Sequence, residues 1–114
     1  MDSVTRYKEI IKETLQKFLE RYQPQPERSD IDTLLTADDE RGVYLILRTG
    51  WQAKERVQRI LIYIRLINNR VYVEEDWTDF DVVGRLLDAG IPQEDVVLAF
   101  HHPSLRPFTE FALA

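Results

Sequence analysis

Two runs rich in β-branched and aromatic side chains, Val57–Ile67 and Val71–Glu75, flank an Asn68-Asn69 pair. Asparagine tolerates the positive φ that a two-residue hairpin turn demands. A turn centred on that pair sets a register in which Leu66 faces Val71, Ile64 faces Val73 and Arg65 faces Tyr72. Apolar meets apolar on one side of the ribbon, and arginine meets tyrosine on the other. Turn chemistry and side-chain pattern therefore agree on an antiparallel hairpin, and a hairpin needs further strands or a helix to bury its apolar side.

The rest of the chain supplies both. Val4, Tyr7, Ile10, Ile11, Leu15, Phe18, Leu19 and Tyr22 recur at helical spacing, predicting an amphipathic helix over 3–22 that Pro24 and Pro26 end, with 23–29 as a linker. Strands are expected at Ile31–Ala37 and Val43–Thr49, joined by the turn 38–42. A second helix is expected over Asp79–Ala89, opened by a capping-box-like Thr78/Asp81 pair and stopped by Gly90 in the left-handed region, with Pro92 just beyond. Val96–Phe100 reads as a buried strand and Phe108–Leu113 as a further extended piece. The expected fold is α+β in one domain, 1–114: an N-terminal amphipathic helix, an antiparallel four-stranded meander, a second helix and a C-terminal strand.

At 114 residues and 44% hydrophobic content the chain can bury a core unaided. The absence of cysteine excludes a disulfide framework, a thiolate metal site and a cysteine nucleophile. No apolar run is long enough to span a bilayer and no signal-peptide pattern opens the chain, so no membrane association and a cytoplasmic location are expected. The net charge of −5 is unevenly spread: residues 48–70 carry six basic side chains against Glu55, whereas 71–114 carry two against nine acids. Such a dipolar surface suits self-association or a protein partner at least as well as nucleic acid.

Candidate chemistry is sparse. His101-His102 is the only histidine pair, and neighbours in an extended chain point to opposite faces, which disfavours a shared metal. Glu74, Glu75, Asp76, Asp79 and Asp81 form an acidic cluster, but it lacks the glycine-centred spacing of a calcium loop, and acids at a helix start favour the dipole. None of the four lysines (8, 12, 17 and 54) has an acid two residues before it, so a restriction-type nuclease signature is absent. No serine-elbow, phosphate-loop or dinucleotide pattern occurs. No catalytic residue, metal or cofactor is expected. The suggestive composition is on the sheet: with Val43, Leu45 and Leu47, the even positions 60–66, Val71 and Val73 in the core, the opposite face displays Tyr44, Ile46, Arg48, Arg59, Leu61, Tyr63, Arg65 and Tyr72. Tyr44, Arg48, Arg59, Tyr63, Arg65 and Tyr72 are thus the partner-binding candidates. The face could meet another protein, stack on single-stranded nucleic acid, or lie under the first helix.

Several blocks resemble the XisI family of cyanobacterial type. They run from Tyr7…Ile10-Ile11 through Thr49-Gly50-Trp51, Arg56-Val57 and the stretch Val71–Thr78 to Leu87…Gly90-Ile91-Pro92 and the stretch Asp95–His101. They close with Pro103…Arg106-Pro107…Thr109-Glu110-Phe111-Ala112. Gly90, Pro92, Phe100, His101, Pro103, Arg106, Thr109 and Phe111 stand in the more specific C-terminal blocks. The resemblance implies an excision controlling factor, needed with a companion XisH protein for developmentally timed DNA-element excision by a separate recombinase. It carries over no catalytic residue. The expectation is a non-enzymatic accessory protein acting by contact with an XisH-like partner and self-associating into a homo-oligomer. A nucleic-acid-binding regulator using the Arg/Tyr face is the less favoured alternative, and a metal-dependent hydrolase around His101, His102 and the acidic cluster a weaker one.

Overall fold

The computed structural model describes residues 2–22, 30–100 and 111. The expected linker over 23–29 and all of the expected strand over Phe108–Leu113 except Phe111 lie outside the described residues, as do His101, His102, Pro103, Arg106 and Thr109.

The first helix, α1 (Ser3–Arg21), starts where Asp2 accepts a hydrogen bond from the Thr5 amide at 2.8 Å, which satisfies one of the amides a helix start leaves unpaired. Its apolar stripe is buried through Tyr7, Ile10, Ile11, Leu15 and Phe18. The one buried polar residue on that stripe, Thr14, donates to the Ile10 carbonyl at 2.8 Å.

Five strands follow: β1 (Asp30–Asp38), β2 (Val43–Gln52), β3 (Glu55–Ile67), β4 (Arg70–Asp76) and β5 (Val96–Leu98). They lie side by side in chain order. The first four form the expected antiparallel meander. Asn68 and Asn69 hold φ of 50° and 64°, and all three expected hairpin pairings are present. The β1–β2 turn is closed by the Gly42 amide donating to the Asp38 carbonyl at 2.8 Å and by the Asp38 carboxylate accepting from the Arg41 amide at 3.0 Å. β2 and β3 run further than the sequence indicates, to a two-residue turn at Ala53-Lys54. Gly50 makes this extension possible: a Cβ there would sit 2.1 Å from the Asp30 carbonyl oxygen of the neighbouring strand.

The second helix, α2 (Val82–Asp88), is shorter than the expected Asp79–Ala89, and its cap differs from the expected box. The Thr78 hydroxyl accepts from the Phe80 amide, while Asp81, in the left-handed region, caps the Gly84 amide at 3.1 Å. Asp76 gathers the preceding loop by accepting from the Thr78 amide, the Thr78 hydroxyl and the Val82 amide. At the other end Gly90 holds φ of +110°. The Gly90 amide donates to the Leu87 carbonyl and the Ile91 amide to the Leu86 carbonyl, a Schellman closure with Ile91 and Leu86 both buried. A 3₁₀ turn at Gln93–Asp95 leads into β5, which pairs with β4 in parallel and ends at Leu98 rather than Phe100.

Both helices pack on one face of the sheet. Their buried residues share a single core with Tyr44, Ile46, Leu61, Ile62, Ile64, Val71, Val73, Val96 and Leu98. Half-buried Phe111 also packs against it. This corrects the expected division of faces: Tyr44 and Ile46 are fully buried, whereas Val43, Leu45 and Leu47 belong to the other side. The cause is a β-bulge. Ile46 pairs with Ile62 but Leu47 with Ile60, so Leu61 is an extra residue that joins Ile62 in the core and inverts the alternation beyond it. Tyr44 is therefore a core residue and not a surface contact. Its hydroxyl donates to Asp39 at 2.9 Å.

Candidate functional site

The six sheet candidates do not form one surface. Arg48 lies on the helix-bearing face with Tyr44, and Arg59, its registered partner across β2 and β3, lies there too. Tyr63, Arg65 and Tyr72 occupy the opposite face, where Tyr63 pairs with Leu45, and Arg65 with Val43 and Tyr72. The bulge at Leu61 again accounts for the split, because it moves Arg59 to the helix side while leaving Tyr63 and Arg65 outside.

On the helix side, Arg48 and Arg59 edge a cavity of about 380 Å³ at the C-terminal end of α1, together with Phe18, Tyr22, Leu61, Trp77, Thr78 and Asp79. Its aromatic wall is well packed: Phe18 and Tyr22 stack at 4.8 Å, and Phe80 meets both edge-on. Arg85 covers the far side of Phe80 at 3.7 Å and donates to its carbonyl at 2.7 Å. The Tyr22 hydroxyl donates to Asp79 at 3.4 Å, and the indole of Trp77, 66% exposed, donates to Glu75 at 3.0 Å. Neither Arg48 nor Arg59 makes an ion pair among the described residues. Like charges set directly opposite on neighbouring strands repel. The pair is thus a ready position for an acidic group of another molecule, with apolar and aromatic surface beside it.

The opposite face carries no helix among the described residues. Its centre is a registered row of three aliphatics, Leu34 on β1, Leu47 on β2 and Ile60 on β3. Leu34 is 46% exposed and Ile60 37%. Trp51, 51% exposed, flanks this row and lies 5.3 Å from the Arg56 guanidinium, which also donates to the Thr49 hydroxyl and the Gly50 carbonyl. Leu45, Leu47, Thr49, Gln58 and Ile60, with Arg48 and Arg59 between them along β2 and β3, line a groove of about 470 Å³. Sequence reasoning missed this apolar surface because it assigned Leu45 and Leu47 to the core.

The titratable groups with clear shifts are all held in hydrogen bonds within the fold. Tyr7 donates to Asp95, and burial together with that bond pushes its phenol up to about 12. Burial and the bond to Asp39 raise Tyr44 as well. Asp39 is held below the usual carboxylate range by hydrogen bonds from Lys12 and Tyr44. Of the acidic cluster, Asp76 and Asp81 are engaged in capping and Asp79 and Glu75 in bonds to aromatic side chains. Among the described residues no three metal-ligating side chains converge, and no helix is long and apolar enough to cross a membrane.

Comparison with known proteins places this architecture. A crystal structure of the fdxN element excision controlling factor XisI from Anabaena variabilis superposes with a TM-score of 0.87 at 41% sequence identity, covering 99% of this chain and 100% of that one. A XisI-like protein from the same organism superposes with a TM-score of 0.90 at 26% identity, covering 97% and 99%. No protein of curated function matches. Residues 1–113 match the XisI protein family, and the chain belongs to that family.

Proposed function

We propose that this chain is a non-enzymatic accessory protein that controls DNA-element excision by protein contact, binding an XisH-like partner and associating with itself. The observation that carries this reading is the sheet face left without a helix among the described residues, with its row of exposed Leu34, half-buried Leu47 and exposed Ile60. An apolar row of that kind on a water-soluble domain is a contact surface. The Arg48–Arg59 pair, with Trp77 beside it, supplies a second, polar contact suited to an acidic segment of the XisH-like partner. The similarity to a protein named as an excision controlling factor supports the process, since that name denotes control. A nucleic-acid regulator is the weaker reading. The expected Arg/Tyr stacking face is divided, with Arg48 and Arg59 on one side and Tyr63, Arg65 and Tyr72 on the other.

The test is titration calorimetry of the purified chain against an XisH-like protein encoded beside it. Binding is expected, and replacing both Arg48 and Arg59 with Ser should weaken it about tenfold, the loss of charge-assisted hydrogen bonds to one acidic group. No binding to such a partner would remove the protein-contact reading. Tighter binding to single-stranded DNA at physiological salt would replace it with the nucleic-acid one.

A further inference from the structure

We propose that the helix-free face of the sheet is the interface of an isologous dimer whose two-fold axis runs along β2. This deepens the self-association part of the function proposed above and rests on it. The argument comes from the register of the outer-face side chains. Across β1, β2 and β3 they form rows: Asp30–Trp51–Arg56, Asp32–Thr49–Gln58, Leu34–Leu47–Ile60, Thr36–Leu45–Tyr63 and Asp38–Val43–Arg65. The acids stand on β1 and the arginines on β3, with β2 between them.

A second copy laid face to face and related by an axis along β2 brings each β1 over the partner's β3 without shifting the rows. Asp30 then meets Arg56, Asp38 meets Arg65, Leu34 meets Ile60, and Leu47 meets its own copy on the axis. The two rows with charge at both ends become complementary pairs, formed twice, Asp32 meets the Gln58 amide, and the apolar row closes on itself. This is what an isologous contact requires of one surface. The other in-plane axis, perpendicular to the strands, would set Asp30 over Asp38 and Arg56 over Arg65, and like charges across an interface repel. The charges thus select one axis. Sheets stacked face to face keep their strand directions within about 30° of each other, which an axis along β2 permits. The three strands, overlapping over nine residues at about 3.4 Å per residue and separated by two gaps of about 4.8 Å, give a face of roughly 30 by 10 Å between strand axes, on the order of 300 Å² per copy. That is smaller than the roughly 800 Å² per partner of a standard interface and fits a dimer with a dissociation constant in the micromolar range.

Asp30 and Arg65 have no ion-pair partner among the described residues, and Asp38 shares its charge only with exposed Arg41. The mate supplies the counter-charges.

The test is sedimentation equilibrium of the full chain with a charge swap at the outermost row, where both side chains are exposed and a fold defect is least expected. The wild-type chain should dimerise at micromolar concentration. Asp30→Arg alone and Arg56→Asp alone should each raise the dissociation constant about tenfold or more, because each sets like charges opposite one another twice. The double variant should return to within about threefold of wild type. Leu47→Lys, which puts two ammonium groups on the axis, should be monomeric with an unchanged circular dichroism spectrum. A wild-type monomer at 100 µM, a double variant as weak as its singles, or a Leu47→Lys chain that dimerises normally would each overturn the inference. A monomer that still binds the XisH-like protein would overturn this inference alone and leave the partner contact standing.

Discussion

Ile46 and Leu47 are adjacent aliphatic residues of β2, and the sheet treats them oppositely. Ile46 is fully buried beside Ile62 in the core shared with both helices, while Leu47 lies half-buried in a row of exposed aliphatics. The helix side is also fastened by polar bonds that cross between elements: Tyr7 to Asp95, Lys12 to Asp39 and Tyr44 to Asp39. Among the described residues the open side has no comparable bond to a helix. Adjacent aliphatics of one strand thus lie in different surroundings, one in the core under the helices and the other in the row assigned above to contact.

The sharpest way to break this comparison is to truncate both neighbours. Ile46→Ala should cost about 3 kcal/mol in urea unfolding, the range for a buried aliphatic that leaves a cavity. Leu47→Ala should cost under about 1 kcal/mol when measured below the dissociation constant, since it is only half-buried. Equal costs would show that the open face is a second core.

The helix layer also depends on α2 ending where Ile91 can re-enter the core. Gly90→Val should destabilise by about 1–2 kcal/mol, because a β-branched residue is strained at φ of +110°. An unchanged melting temperature would mean that the closure does not need that conformation.

Tyr7→Phe should cost about 1 kcal/mol at neutral pH, the loss of a half-buried hydrogen bond to a carboxylate. It should also alter the alkaline limb. The folded-state pKa, pushed up to about 12 from 10.0, means that the stability Tyr7 contributes is complete below pH 10 and is lost as pH rises toward 12. Stability curves of wild type and Tyr7→Phe should therefore converge over that window, and parallel curves would contradict the assignment. The smallest effect is expected at the paired arginines. Arg59→Gln should leave stability within about 0.5 kcal/mol or raise it slightly, since it relieves a like-charge pair on an exposed edge. A large loss in thermal unfolding would make Arg59 structural.

Much of the fold was legible because local chemistry and pattern agreed. Asn68-Asn69 set the β3–β4 register, the stripe from Tyr7 to Phe18 set α1, and Gly90 set the end of α2. The phase of β2 was not legible. Val43 to Leu47 is a continuous apolar run, so period-2 alternation has nothing to reveal, and Tyr44/Ile46 and Leu45/Leu47 compete equally for the core. The bulge at Leu61 then inverts the alternation beyond Ile62, a non-local consequence of pairing with β2. The α2 start was misplaced for a related reason. Asp76, six residues before Val82, holds the loop together, and no capping motif of fixed short spacing includes it. The candidate site inherits these errors: the arginines and tyrosines were identified, but not that two faces divide them.

The central claim is that the helix-free face is where this chain meets its own copy. Methyl-labelled NMR spectra recorded across a dilution series test it most directly. The methyl resonances of Leu34, Leu45, Leu47 and Ile60 should shift with concentration, while those of Ile11, Ile46 and Ile62 stay fixed. Shifts confined to residues of α1 and α2, or none at all up to millimolar concentration, would contradict the account.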